Sequence, residues 1–225
     1  MEPTETGFRV LLDGRTLRTP HKALFEVPTA ALAEAIAAEW AAQGETVRPG
    51  TMPLTRLANV AIDRTPEARA DMADMIAGYG ETDLLCHRAE TPEGLIARQA
   101  QAWDPALAWA AETLGVRLTV VVGIIAAEQP PDTLARLKAL ALAMDDFALT
   151  GLAHGAGLTG SAVLALCLAQ RAAPSGEALL SAAALDELWS LETWGEDAEL
   201  RARVERLQGE LAALEGWFLA LEARG

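Results

Sequence analysis

Apolar and polar positions alternate at the start of the chain. Phe8, Val10 and Leu12 are apolar at every second position, and Asp13-Gly14 behind them tolerates positive φ in a tight turn. Residues 15–18 read as a returning strand, Thr19-Pro20-His21-Lys22 as a second turn, and 23–27 as a third strand. The period then changes. Leu32, Ile36 and Trp40 recur every four residues after Pro28-Thr29, and Gly44 comes beyond them, which predicts a helix able to cover the meander with one face.

Helical patterning dominates the rest of the chain, over 54–62, 66–77, 92–114 with Pro105 as a joint, 131–152, 158–172, 176–194 and 197–221. Two extended patches, 82–87 and 117–122, interrupt it and could pair as a short ladder. The fold class expected is α+β, mainly α. A small β-containing domain would cover 1–65 and a helical domain 66–225, divided at Asp63-Arg64-Thr65-Pro66. An alternative division puts both patches in a larger first domain ending near residue 126.

In the last helical segment Leu200, Val204, Leu207, Leu211, Leu214, Phe218 and Leu221 alternate spacings of four and three, a heptad seam, with pairs such as Arg206 and Glu210 on its polar side. Packing within its own bundle, hence a monomer, is the expectation; an oligomer seam is the other reading.

Charge narrows the functional classes. The 225 residues carry 18 Lys and Arg against 32 Asp and Glu, a net charge of −14, so no basic footprint exists for nucleic acid or an anionic membrane. The apolar stretches, such as 118–127 and 161–169, are too short or interrupted to span a bilayer. Cys86 and Cys167 stand far apart without a CxxC, and the opening MEPTETGF has neither a signal-peptide core nor transit-peptide character. A cytoplasmic protein is expected.

Candidate chemistry is sparse. Gly155 to Gly160 spells GxGxxG, whose amides could approach a pyrophosphate, but a helix precedes it where a strand is required, and Asp186 is too distant for a ribose-binding acid. A turn between helices is the plainer reading; a nucleotide-binding enzyme using that turn is the alternative. His21, His87 and His154 have no ligand-spaced neighbours, and no nucleophile, Walker or zinc-protease motif occurs, so neither cofactor nor metal is expected.

The unusual stretch is 172–200, which holds Glu177, Asp186, Glu187, Glu192, Glu196, Asp197 and Glu199 and no Lys or Arg. At about 100° per residue, Leu180, Ala184, Leu188 and Leu191 form an apolar stripe, with Asp186 facing away and Glu187 at its margin. A solvated helix face would explain these acids. A carboxylate flanked by apolar groups, however, is costly to desolvate alone, which makes Glu187 a recognition candidate. Of six tryptophans most belong in a core; Trp194, beside the helix stop Gly195, is the one expected to be exposed.

An ordered set of blocks adds a resemblance. Glu39-Trp40, Met52-Pro53-Leu54-Thr55 with Asn59, Thr82-Asp83-Leu84-Leu85-Cys86-His87-Arg88, Pro92-Glu93, Gln99, Trp103-Asp104-Pro105, Trp109, Leu185-Asp186-Glu187-Leu188-Trp189 and Trp194-Gly195 together resemble the chaperone family that holds the ATP synthase alpha subunit before the catalytic head is built. The resemblance implies a non-enzymatic protein that binds free alpha subunit and shields its interface for the beta subunit. It also implies an acidic residue important for function before the Trp-Gly, matching Glu187 or its neighbour Asp186; Glu192 and Trp194 of the acidic stretch are further partner-binding candidates. Trp40 matches the family's early tryptophan and is read as packing. Eukaryotic members are mitochondrial matrix proteins with a targeting extension; this chain lacks one, as a bacterial cytoplasmic member would. Residues 120–172 match no block, and the heptad helix lies outside the resemblance.

Overall fold

The computed structural model describes residues 1–123, 128–195 and 197–223, and its architecture is mainly helical with small strands. Two compact units divide the chain: Met1–Arg69 with Met144–Gly151 and Ala213–Gly225, and Ala70–Ala143 with Leu152–Ala212. The acidic stretch belongs to the second unit. The apolar run at 118–127 and the alternative boundary near 126 reach positions 124–127, outside the described residues.

In the first unit, β1 (Glu2–Pro3), β2 (Phe8–Arg9), β3 (Leu11–Leu12), β4 (Arg15–Thr16) and β5 (Glu26–Val27) build the meander that alternation predicts, with β1 as an unannounced extra strand. β2 is the middle strand of an antiparallel sheet, Phe8 opposite Val27. The β3–β4 hairpin turns through Asp13 and Gly14 at φ 51° and 76°, the left-handed pair such a turn needs. Helix α1 (Ala30–Ala41) starts at Thr29, whose hydroxyl accepts from the Leu32 amide at 3.1 Å and donates to the Ala220 carbonyl at 2.7 Å. It packs on β2, β3 and β5, and Leu32, Ile36, Val10, Phe25 and Val27 are all buried.

Glu39 explains the first block of the resemblance. Its carboxylate accepts from the Leu54 and Thr55 amides, both at 2.8 Å, and from the Thr55 hydroxyl at 2.7 Å, closing the start of α2 (Pro53–Asp63). The first-turn amides of a helix lack internal partners, and an anion there also meets the positive end of the helix dipole. Trp40 is half-buried, consistent with a packing role.

The later helices are α3 (Thr65–Glu81), α4 (Glu93–Trp109), α5 (Pro131–Leu142), α6 (Asp146–Thr159), α7 (Ala162–Ala169), α8 (Gly176–Ala183), α9 (Leu185–Trp194) and α10 (Ala198–Glu222). Three expectations are corrected. Helix α4 runs through Pro105 unbroken and finishes in a π-helical turn, Ala110–Leu114. The single helix expected over 131–152 is two, because the Asp145 carboxylate accepts from the Ala148 amide at 2.8 Å and caps a new helix. The helix expected from 158 starts at Ala162, after α6 has continued to Thr159. The extended patches do pair: β6 (His87–Arg88) lies parallel to β7 (Val121–Val122), and Leu84–Cys86 before it forms a 3₁₀ turn.

Within the second unit, buried Asp83 ties that 3₁₀ turn to the start of α7. It accepts from the Leu85 amide at 3.1 Å and the Val163 amide at 3.2 Å, with Ser161 and the Ala162 amide also bonded to it. Burial pushes this carboxyl up to about 6 against those hydrogen bonds. Cys86 and Cys167 are buried free thiols, pushed up to about 12 by burial first and by the Asp83 charge second.

Glu39→Ala should cost about 2 kcal/mol in urea unfolding, since it strands two amides and a hydroxyl. The folded-state value of Asp83 lies above the unfolded one near 3.9. Its contribution is therefore present below about pH 4 and lost as pH rises through about 6. Melting curves of wild type and Asp83→Asn should show the wild type losing ground to the variant across that window and holding a constant offset above it.

Candidate functional site

Helix α4 holds the acidic segment. The single helix expected over 176–194 breaks at Ala184, at φ −111° and ψ 27°, between α8 and α9. Nothing in the run Ala182-Ala183-Ala184 announces a break. The reason lies on α4: the indole N–H of buried Trp103 donates to the Ala182 carbonyl at 2.8 Å, an acceptor that a continuous helix would use for the amide four residues on. Three other α4 residues grip α9. Gly94 lets Trp189 lie close, for a Cβ there would come within 2.8 Å of the indole ring. Arg98 forms a two-pronged ion pair with Glu192, one contact at 2.8 Å, and lies 5.9 Å from the Trp189 ring centre. Buried Gln99 donates to Asp186 at 2.9 Å and accepts from the Ala89 amide at 2.9 Å.

Asp186, Glu187 and Glu192 therefore have partners from outside the segment, whereas Asp197 accepts from the Glu199 and Leu200 amides within it at 2.9 and 3.0 Å. The Arg98 hydrogen bond holds Glu192 below the usual carboxylate range and raises Arg98 in turn. Glu187 pairs with Arg203 of α10 at 3.2 Å. Asp186 is exposed and Glu187 half-buried, while the expected stripe of Leu180, Ala184, Leu188 and Leu191 is interrupted at Ala184. Glu196 lies outside the described residues.

Asp186 and Glu187 meet on an open groove of about 930 Å³ in the second unit. Its other lining includes Gly157 and Gly160, His154, and Leu200, Arg203, Leu207 and Glu210 of α10. His154 Nε2 stands 3.5 Å from Glu210. Glu192 and Trp194 are not among the lining residues: Glu192 is turned to Arg98, and Trp194 stands 82% exposed at the end of α9, before Gly195 at φ 94°. Sequence reasoning missed Arg203, His154 and the α10 leucines as groove residues. The heptad seam contained the leucines, but spacing on one helix does not reveal what another helix leaves open.

The glycine-rich stretch has a different part from the nucleotide alternative. Gly155 and Gly157 lie inside α6, and Gly160 turns the chain at φ 66°. At the start of α7 the Leu164 amide goes to Ser161 at 3.0 Å, while the Val163 and Ala162 amides go to Asp83. A buried carboxylate occupies the place a phosphate would need. Among the described residues no group of three His, Cys, Asp or Glu could hold a metal ion, and no helix is long and apolar enough to cross a membrane.

Known proteins share this architecture. A profile of the family described as ATP12 chaperone protein matches residues 1–111. Atp12 from Paracoccus denitrificans is similar at 38% identity and a TM-score of 0.91, over 97% of this chain and 94% of that one. An aspartate-to-lysine variant of the same protein matches at 37% identity and a TM-score of 0.91, over 97% and 93%. The Atu1473 protein of Agrobacterium tumefaciens, a proposed chaperone, matches at 39% identity and a TM-score of 0.87, over 97% and 82%.

Trp103→Phe removes the donor to Ala182 while keeping most of the ring volume. It should cost about 2 kcal/mol in urea unfolding, and hydrogen exchange should accelerate most at residues 182–187.

Proposed function

The chain belongs to the ATP12 chaperone family and is a chaperone; from that premise we propose that its client is the free alpha subunit of the F-type ATP synthase. It would hold that subunit before the catalytic head assembles and cover the surface destined for the beta subunit. The protein acts by binding, with no catalytic step, in the bacterial cytoplasm. Asp186 and Glu187 carry the recognition, with Glu192 and Trp194 at the margin of the same helix.

The observation that supports this reading most is Glu187 itself, a half-buried carboxylate on the rim of an open groove beside half-buried Leu200 and Leu207. An unassembled subunit exposes apolar interface that drives aggregation, and such a groove offers it temporary cover. Carboxylates at the rim speed encounter with a basic surface and set orientation more than they add affinity. The net charge of −14 acts in the same direction at longer range.

Glu187→Lys should reduce capture of purified alpha subunit about tenfold or more, with helicity unchanged. Glu112→Lys, an equal charge change at an exposed position away from the groove lining, serves as the control. Equal capture by both variants would remove Glu187 from the interface, and a client kept no more soluble by wild type than by buffer would end the reading.

A further inference from the structure

The carboxylates of α9 differ in how firmly they are held. Glu192 has both oxygens on Arg98. Asp186 is held by Gln99, which is buried and fixed in turn by the Ala89 amide. Glu187 has one contact to Arg203, whose side chain is 69% exposed against 26% for Glu187. A single pair made by a long exposed side chain is weak, because ordering that chain offsets most of the Coulomb attraction.

The surroundings of this pair are unfinished in the same way. Leu200, Val204 and Leu207 form the first part of the α10 seam and are only half-buried, whereas Leu211, next along the stripe, is 4% exposed. Gly157 and Gly160 lie on the same groove with open space beside them: a Cβ on Gly157 would meet only the Tyr79 hydroxyl, at 3.5 Å. A half-open apolar stripe at helical spacing beside small residues is a shape that receives another helix.

We propose that Arg203 is a resident stand-in for a cation of the client. The groove docks a helical segment of the alpha subunit that carries an Arg or Lys; that cation takes Glu187 from Arg203, and the segment's apolar face covers Leu200 and Leu207. This rests on the client reading above. Charge selects the occupant: no Lys or Arg occurs between Ala172 and Leu200, so no neighbour on α9 competes for an incoming cation. A second copy of this chain would bring its own acidic helix toward these carboxylates. The exchange also satisfies electrostatics at both ends. Glu187 is paired when the groove is empty and when it is covered, so no carboxylate is buried alone. Arg203, already mostly in solvent, loses little on release. Competition by Arg203 weakens the hold, as a chaperone that must let go requires.

The test is the dissociation constant for purified alpha subunit with the full chain as wild type, Arg203→Gln, Arg203→Lys, Glu187→Gln and the double variant Arg203→Gln with Glu187→Gln. Arg203→Gln keeps the length of the stem and removes the competing charge, so binding should tighten about two- to fivefold. Arg203→Lys should bind like wild type. Glu187→Gln should weaken binding about tenfold, and adding Arg203→Gln to it should bring no tightening, since nothing remains to compete for. Circular dichroism and melting of Arg203→Gln should match wild type. Weaker or unchanged binding by Arg203→Gln would overturn the exchange while leaving the client reading intact. A concentration-dependent gain in mass on sedimentation of Arg203→Gln would place a second copy in the groove and overturn it too. A wild type that binds no alpha subunit would end the reading and the exchange together.

Discussion

The hydrogen bond from the Trp103 indole to the Ala182 carbonyl decides where the acidic helix begins. It takes a backbone acceptor out of the helical ladder, and the chain turns at Ala184 instead of running on. Gly94, Arg98 and Gln99 of α4 then hold the new helix. Gly94 with Arg98, and Gln99 with Trp103, stand four residues apart, so the two pairs lie on adjoining sides of one helix. Through them the carboxylates are placed by a rigid element rather than by a loop, and a recognition surface needs that if orientation is to carry meaning.

A chain with a net charge of −14 must also keep its carboxylates from destabilising the compact state. The described structure does this in three ways. Glu39 sits at a helix N-terminus, where unpaired amides and the helix dipole both favour an anion. Glu192 is held by a cation fixed on α4, and Asp186 by a buried amide. Glu187 has only a loosely held exposed partner, which separates it from the rest by physical criteria.

The blocks that carry the family resemblance are largely structural in this light. Glu39 and Thr55 meet in one cap, and Asp83 staples a turn to α7. Gln99, Trp103 and Asp186 belong to the grip of α4 on the acidic segment. Their order along the chain was legible because each side chain performs a task that few others can. The long-range half of each pairing was not legible, since those partners stand between 16 and 87 positions apart.

The amino-acid sequence by itself determined the mainly helical class, the opening hairpin at Asp13-Gly14 and the exposure of Trp194. These come from local periodicity and backbone preference, which act over a few residues. Tertiary structure alone decided the break at Ala184, the partners of the acids and the groove under Glu187. Each depends on a group brought from a remote part of the chain to compete for a backbone acceptor, pair a charge, or leave a helix stripe uncovered. Spacing along one helix carries no record of that competition.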